Sequence, residues 1–529
     1  MAFLGESDMT KEIEMVQSKA IDVHSEHRPP LEPPQWHTDQ ILQRTAEAIN
    51  SDSEKNATTY PLPKLSIDSM FGATINNSLF KKHLDTSKGS HQPTEKPDRE
   101  DIVPQRIEAQ KNGGRLERSS ALEPIDPTKA ERYLHGDGKG LPPIAKAFKD
   151  IGLETLAAAT AKDSSKPQIH VSTRSGDRAF PLGSRENPYT SIQSAVDKAP
   201  TGSVINVHRV GSDVYKERVS ITRSDLVVQT DAKNPAVIDL AGRTTGRANA
   251  AFAIGSGSSE ISIKNFEIRN FTGNVAAIRI DGSNIHNITV AGNDIHSASG
   301  AEGIAVYGRG GSEASRLSKI NIISNKVHDL KLGELEAIPI NGNVSGFKVV
   351  GNSGYKLDNI FIDTIGGEGV SKNATFDQAR DGEISFNYAD KISTLSNANS
   401  RESGNLSAAA IYSDGAKNLS IKNNYIRNAD FGIEIGGEHS GLASSNVAVS
   451  SNIVEASNYV WLGRGGDPQR PGGAKDSYAR DNVVIGNART ETQSNVRNFA
   501  VENTIAFARM SSAKVLPKDI AALVQKHSK

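Results

Sequence analysis

Along the second half of the chain, apolar and polar positions follow one recurring order: apolar, any residue, apolar, two of any kind, Asn, any, apolar. Ile288, Val290, Asn293 and Ile295 spell it out, as do Ile320, Ile322, Asn325 and Val327. Leu419, Ile421, Asn424 and Ile426 repeat it, and so do Val447, Val449, Asn452 and Val454. Weaker copies carry Asn352, Asn387 and Asn482, and an earlier one has Phe266 where the Asn belongs. A loosely kept period of roughly 30 residues with a short strand at its centre marks a solenoid. Alternating Ile and Val predict a strand with one buried face. An Asn directly after it suits a tight corner, since Asn tolerates left-handed backbone and can bond along a ladder of its own kind. The predicted fold is all-β: a single-stranded right-handed parallel β-helix.

A second strand per repeat ends near Gly, and its outward positions can be aligned from one coil to the next. That column reads Arg279, Ala305, Pro339, Asp363, Tyr412, Glu434, Trp461, with Asn341 and Asp414 at the next outward position of their own coils. Before the repeats, Ser191 or Thr190 is placed to cap a short helix carrying Ile192, Ala195, Val196 and Ala199 on one face. A Pro-x-Gly stop and a strand at Val204–Val207 follow it. Such a helix would plug the open first coil of the solenoid.

Residues 1–165 have a different texture, with Pro clusters and Ser, Lys and Glu runs. They are predicted to form a largely disordered leader with a few short helices, the best at Asp39–Asn50 and Ile144–Ala161. The β-helix is assigned to 166–495, and a tail with a short helix to 496–529.

Lys and Arg total 61 against 62 Asp and Glu, a net charge of −1, so no global field draws the chain to nucleic acid or a membrane. Cys is absent, which excludes disulfides and thiolate metal sites. The start has no apolar signal core, and no 18-residue apolar stretch exists. Secretion by a signal-peptide-independent, type III-like route is therefore expected, with a cytoplasmic location or carriage in a virion as the alternatives. His296 and His328 follow the Asn corner and read as turn residues.

Tyr189-Thr-Ser-Ile-Gln-Ser-Ala-Val196, Gly202-Ser-Val-Ile-Asn-Val207 and Tyr215-Lys-Glu-Arg-Val-Ser-Ile221 resemble the opening of pectate-lyase-like β-helices. Glu334-Leu-Glu-Ala-Ile-Pro-Ile-Asn341, Phe361-Ile-Asp-Thr-Ile-Gly-Gly-Glu368, Ala409-Ala-Ile-Tyr-Ser-Asp414 and Phe431-Gly-Ile-Glu-Ile-Gly-Gly-Glu-His439 resemble bacterial right-handed β-helix repeat proteins of that superfamily. The resemblance covers about 170–490. It implies a polysaccharide lyase that cleaves an acidic, uronate-containing glycan by β-elimination, with Ca²⁺ held by clustered Asp residues. On that reading Asp363, Asp414, Asp430 and Glu434 are the metal ligands, and Asp430-Phe-Gly-Ile-Glu434 resembles one such cluster. Trp461 stands where a basic Lys is expected, which leaves Arg464 or His439 as the base.

Tyr412 and Trp461 would be sugar platforms, with Asn341, Glu368 and Glu438 as further substrate contacts. A second reading keeps the fold and makes the chain an inverting glycoside hydrolase. Asp363 and Glu434 lie two coils apart, roughly 9–10 Å, near the upper end for such a pair. A third is non-catalytic: a secreted, host-directed glycan-binding β-helix, effector-like or tailspike-like. The plainest alternative is that every carboxylate of the column is a solvated surface residue.

Overall fold

A computed structural model describes residues 132–136, 140–159, 165–242, 245–246, 248–401, 406–439, 441–455, 457–462, 472–486, 490–492 and 495–507. All of them belong to one compact unit spanning Arg115–Lys529. The helices expected at 39–50 and near 516–526 lie outside the described residues, as does most of the leader. No described helix is long and apolar enough to cross a membrane.

From the strand Leu226–Thr230 onward each coil gives one strand to each of three parallel sheets, so successive strands of a sheet are three strands apart in the chain. Sheet 1 has 12 strands, from Gln168–Val171 to Arg497–Glu502. Sheet 2 has 10, from Val237–Asp239 to Ile505–Phe507, and sheet 3 has 10, from Val219–Ile221 to Glu491–Thr492. The core is built of inward columns that stay in register. Ile261 lies beside Ile288, Ile288 beside Ile320, and Ile320 beside Phe347. All four are buried. Where Phe347 is larger than its neighbours, Gly382 makes room: a Cβ there would lie 2.1 Å from the ring.

The Asn ladder forms at the corner between sheets 1 and 2. The Nδ2 of Asn293 donates to Oδ1 of Asn325 at 2.9 Å, and the same bond runs on through Asn352, Asn387, Asn424, Asn452 and Asn482 at 2.9–3.1 Å. Each Oδ1 also accepts the backbone N–H of the preceding Asn, and Phe266 donates its N–H to Asn293 in the same way. The left-handed residue is not the Asn but the one before it. Gly292, Ser324, Gly351, Phe386, Asn423, Ser451 and Asp481 all have φ between 54° and 69°. The corner is turned by that residue, which leaves the Asn amide free to point inward and bond along the axis.

Helix α2 (Ile192–Lys198) has Ser191 as its N-cap and buries Ile192, Ala195 and Val196 in the same core as the first strands. The carboxylate of Glu217 accepts from Ser191 Oγ (2.7 Å) and from the backbone N–H groups of Ile192 and Gln193. Helix α1 (Pro143–Ala159), assigned to the leader from sequence, packs Ile144, Ala145, Ala147 and Phe148 with Tyr388, Tyr425, Ile453 and Val483 of sheet 2. The tail assigned from 496 likewise contributes strands, at Arg497–Glu502 and Ile505–Phe507, which pair with Lys475–Arg480 and Val483–Ile485. Neither extension has the repeat pattern, so periodicity did not mark it. His296 and His328 are not turn residues. They sit mid-strand on the outside of sheet 2 and stack at 5.0 Å between centroids, with Tyr355 on His328 at 4.6 Å.

Candidate functional site

The outward column of sheet 3 keeps the register read from the sequence. Arg279 lies beside Ala305, Pro339 beside Asp363, Asp363 beside Tyr412, Tyr412 beside Glu434, and Glu434 beside Trp461. The column is nevertheless no solvated face. Asp363 is 2% exposed, Tyr412 3%, Asp414 3% and Glu434 8%. Strands Ile338–Gly342, Ile362–Ile365 and Ala409–Asp414 are buried on both sides. Chain segments that leave sheet 3 fold back against it: Glu438 donates its N–H to Asp414 Oδ1 at 2.6 Å, and Gly367 approaches His439 so closely that a Cβ would lie 2.7 Å from its carbonyl oxygen. Asp377 pins one such loop by accepting from the N–H groups of Gly369 and Ser371.

Burial and crowding of like charge decide the protonation here. Burial pushes the Asp363 carboxyl well above the usual carboxylate range, helped by Asp414, Glu336, Glu438 and Glu434. Glu434 is pushed well above its ordinary value by burial, then by Glu438 and Asp414. Glu336 is pushed up to about 8 by burial, Glu302 and Glu368. Glu438 is raised by burial and Asp414, against a bond from Tyr412 Oη at 3.2 Å. In the opposite sense, Asp414 faces His439 Nε2 at 3.2 Å and raises that imidazole to about 9. The Tyr412 phenol is raised well beyond its ordinary value by burial, and stays a neutral donor. Asp363 Oδ1 and Asn341 Oδ1 are buried without a hydrogen-bond partner.

The expected site residues thus divide. Asp363, Tyr412, Asp414, Glu434, Glu438 and His439 come together, and Asn341 joins through a hydrogen bond from its amide to Glu368. Asp430 does not belong with them. Its Oδ2 accepts from the N–H groups of Thr394 and Ala408 at 2.8 and 3.0 Å, which ties down the loop that enters sheet 3. Asp358 does the same two coils earlier for Leu332. Both precede the strand on the corner side, where backbone donors need an acceptor. Trp461 is placed by its backbone beside Glu434, whereas its side chain and all of Arg464 lie outside the described residues.

Sequence reasoning missed a second group. Arg279 donates to Glu302 at 2.6 Å, its guanidinium lies 5.0 Å from the Tyr307 ring, and Tyr307 Oη bonds Glu302. Arg309 pairs with Asp281. Tyr307 stands two positions after Ala305, so extending the aligned column would have found it, whereas Glu302 is three positions before Ala305, off the alternation. Glu336 lies in a loop, where no register applies.

Of the four expected Ca²⁺ ligands, Asp430 accepts from backbone N–H groups elsewhere. Among the described residues, ligand atoms of Asp414, Glu438 and His439 all lie within 4.8 Å of one another.

No family model matches the chain. The uncharacterized protein YwoF of Bacillus subtilis (strain 168) is 28% identical over 340 residues, 62% of this chain and 70% of that one. Among solved structures, the chain is similar to pectate lyase Pel9A, with 13% identity, a TM-score of 0.39, and coverage of 63% of this chain and 78% of that one. It is also similar to the GH136 lacto-N-biosidase from Eubacterium ramulus, with 13% identity, a TM-score of 0.41, and coverage of 68% and 70%. The fold rests on the chain's own three parallel sheets, and the chemistry on its residues.

Proposed function

We propose that this chain is a carbohydrate-active β-helix that cleaves a glycosidic bond by acid–base hydrolysis at the buried outer face of sheet 3. One observation carries the reading: Asp363, Tyr412 and Glu434 are consecutive buried neighbours in register, and burial and the surrounding acids push both carboxyls well above the usual carboxylate range. A proton on Glu434 is what a general acid needs to protonate a departing glycosidic oxygen. Asp363, two strand spacings away, is at roughly 9–10 Å, a separation that leaves room for a water on the far side of a sugar ring. To act on that water Asp363 must be charged, a form that burial and the nearby Asp414, Glu336 and Glu438 disfavour. Tyr412, between the two, supplies a neutral phenol held toward Glu438.

β-Elimination on a uronate is less well supported. Acidic groups crowd the described part of the site, and Arg279 and Arg309 are already paired with Glu302 and Asp281. A uronate would add a further negative charge. Within the same reading the coil is right-handed and helix α2 closes its first turn.

The test is incubation of the chain with neutral, amino-sugar and uronate glycans, reading new reducing ends and absorbance of unsaturated products in parallel. Reducing ends alone are expected, and Glu434→Gln should abolish them. Unsaturated products would replace this reading with a lyase. Silence across all three classes would make the module non-catalytic.

A further inference from the structure

We propose that Asp414, Glu438 and His439 form a site for a borderline divalent transition ion, of the Mn²⁺ or Zn²⁺ class, beside the glycan-cleaving carboxyls. The proposal deepens the reading above, and only its catalytic role rests on that reading. Two carboxylates and an imidazole present ligand atoms all within 4.8 Å of one another. Ligands about 2.1 Å from one ion sit at most about 4.2 Å apart, so small side-chain adjustments complete the geometry. One imidazole nitrogen with two carboxylates suits Zn²⁺, and Mn²⁺ binds such a set more weakly and serves as its spectroscopic stand-in, whereas Ca²⁺ takes oxygen ligands and a larger number of them.

A separate observation points to the same place. Asp363 lies across the strand pair from Tyr412, in the coil next to Asp414, and it is 2% exposed. Its Oδ1 is buried with no hydrogen-bond partner in the protein. Among its charged neighbours Asp414 ranks first, and Glu438 is also close. A buried acceptor without a donor is costly, and a cation at the trio would give that oxygen a counter-charge. The surroundings are those of a prepared site. Glu438 N–H holds Asp414 Oδ1, which leaves Oδ2 directed at His439, and Tyr412 Oη holds Glu438 Oε1. Such outer bonds fix ligand orientation.

The full chain, freed of metal with a chelator, is titrated with Mn²⁺ and followed by the loss of the free-ion electron paramagnetic resonance signal. Thermal melts with Mn²⁺, Zn²⁺ and Ca²⁺ are run in parallel. One Mn²⁺ per chain is expected, with Tm raised several degrees when the ion is in about 100-fold excess over its Kd. His439→Ala, a partly exposed substitution, should weaken Mn²⁺ binding at least about tenfold, in the range seen when a ligand set is disturbed. Glu434→Gln should bind Mn²⁺ as the parent does while losing cleavage. No bound Mn²⁺, binding indifferent to His439→Ala, or a Ca²⁺ shift equal to that of Mn²⁺ would each overturn the site. Mn²⁺ binding without cleavage of any glycan would instead leave the site standing and sink the hydrolase.

Discussion

Sheets 2 and 3 are built from the same coils at the same spacing, yet the outer face of sheet 2 and that of the later coils of sheet 3 treat acids in opposite ways. On sheet 2 the outward column runs Asp239, Arg269, His296, His328, Tyr355, Asp390, Arg427, Glu455. Acids there meet bases on neighbouring coils: Arg269 with Asp239 at 3.1 Å, Lys326 and His328 with Asp294 at 3.1 and 2.9 Å, Arg427 with Asp390 at 3.6 Å. Burial raises Asp239, but bonds from the Ala241 N–H, Arg269, Lys216 and Asn270 outweigh it and leave the carboxyl at about 2. On sheet 3, Asp363 and Glu434 sit beside Tyr412 and among Asp414, Glu336 and Glu438, and they rise. A parallel coil multiplies whatever one position carries, because each side chain sees its counterparts about 4.8 Å above and below. Pairing charges along the column stabilises the fold. Stacking like charges destabilises it, and persists where the chemistry needs the protons.

The comparison breaks most visibly in activity. Glu434→Gln is expected to lower glycan cleavage by about 10²–10⁴-fold with Tm unchanged or higher, since it removes a crowded acid. Asp239→Asn should leave cleavage as it is. A Glu434→Gln protein that is unstable yet active would reverse the assignment of the two faces. Stability supplies the next effect. Asp239→Asn should cost about 1–2 kcal/mol in denaturant melts at pH 7, because the shift it loses is stabilising. Asp363→Asn should cost nothing or stabilise, and a loss comparable to that of Asp239→Asn would show the sheet 3 acids to be structural.

A smaller effect separates the faces by pH. Glu336, raised to about 8, contributes stability fully present below about 4.5 and lost as pH rises through 8, because the folded state keeps a proton that the unfolded chain releases. Asp239, lowered to about 2, contributes stability present above about 4 and lost only as pH falls through 2. Tm should therefore fall between about pH 5 and 8, and Glu336→Gln should flatten that slope while Asp239→Asn leaves it unchanged. An unaltered slope in Glu336→Gln would place the titrating group elsewhere. The smallest expected effect is that of Lys356→Ala, which removes an exposed partner of Asp329 at 3.2 Å and should change stability by less than about 1 kcal/mol. A larger loss would show that pairing matters even on the wettest part of sheet 2.

What could be read from sequence followed from parity and period. The outward register of Asp363, Tyr412 and Glu434 was legible because alternation fixes which side chains leave the core, and the Asn ladder was legible because its spacing from the Ile and Val pairs never changes. The burial of that outward face was not. It comes from segments such as 366–379 and 437–439, whose folding depends on single bonds like those of Asp377 and Asp414 rather than on any pattern. Asp430 was misread for a related reason. An acid beside a strand start looks the same in sequence whether it points at a ligand or, as here, at the N–H groups of Thr394 and Ala408.

The Asn ladder also bears on how such a chain can change length over generations. Its consecutive members are 32, 27, 35, 37, 28 and 30 residues apart, yet their amide bonds differ by only 0.2 Å. The corner is thus a fixed joint, and all variation in length is absorbed between one joint and the next. A gene segment encoding a whole coil could be duplicated or deleted in frame, and the new neighbours would meet with the same bond. An insertion survives only away from the joint, either before sheet 3, as between Tyr388–Ile392 and Ala409–Asp414, or after it, as between Ile362–Ile365 and Arg380–Ser385. Length is therefore free to vary at both ends of the sheet 3 strands, and the second of these places carries the segment that folds back over Asp363.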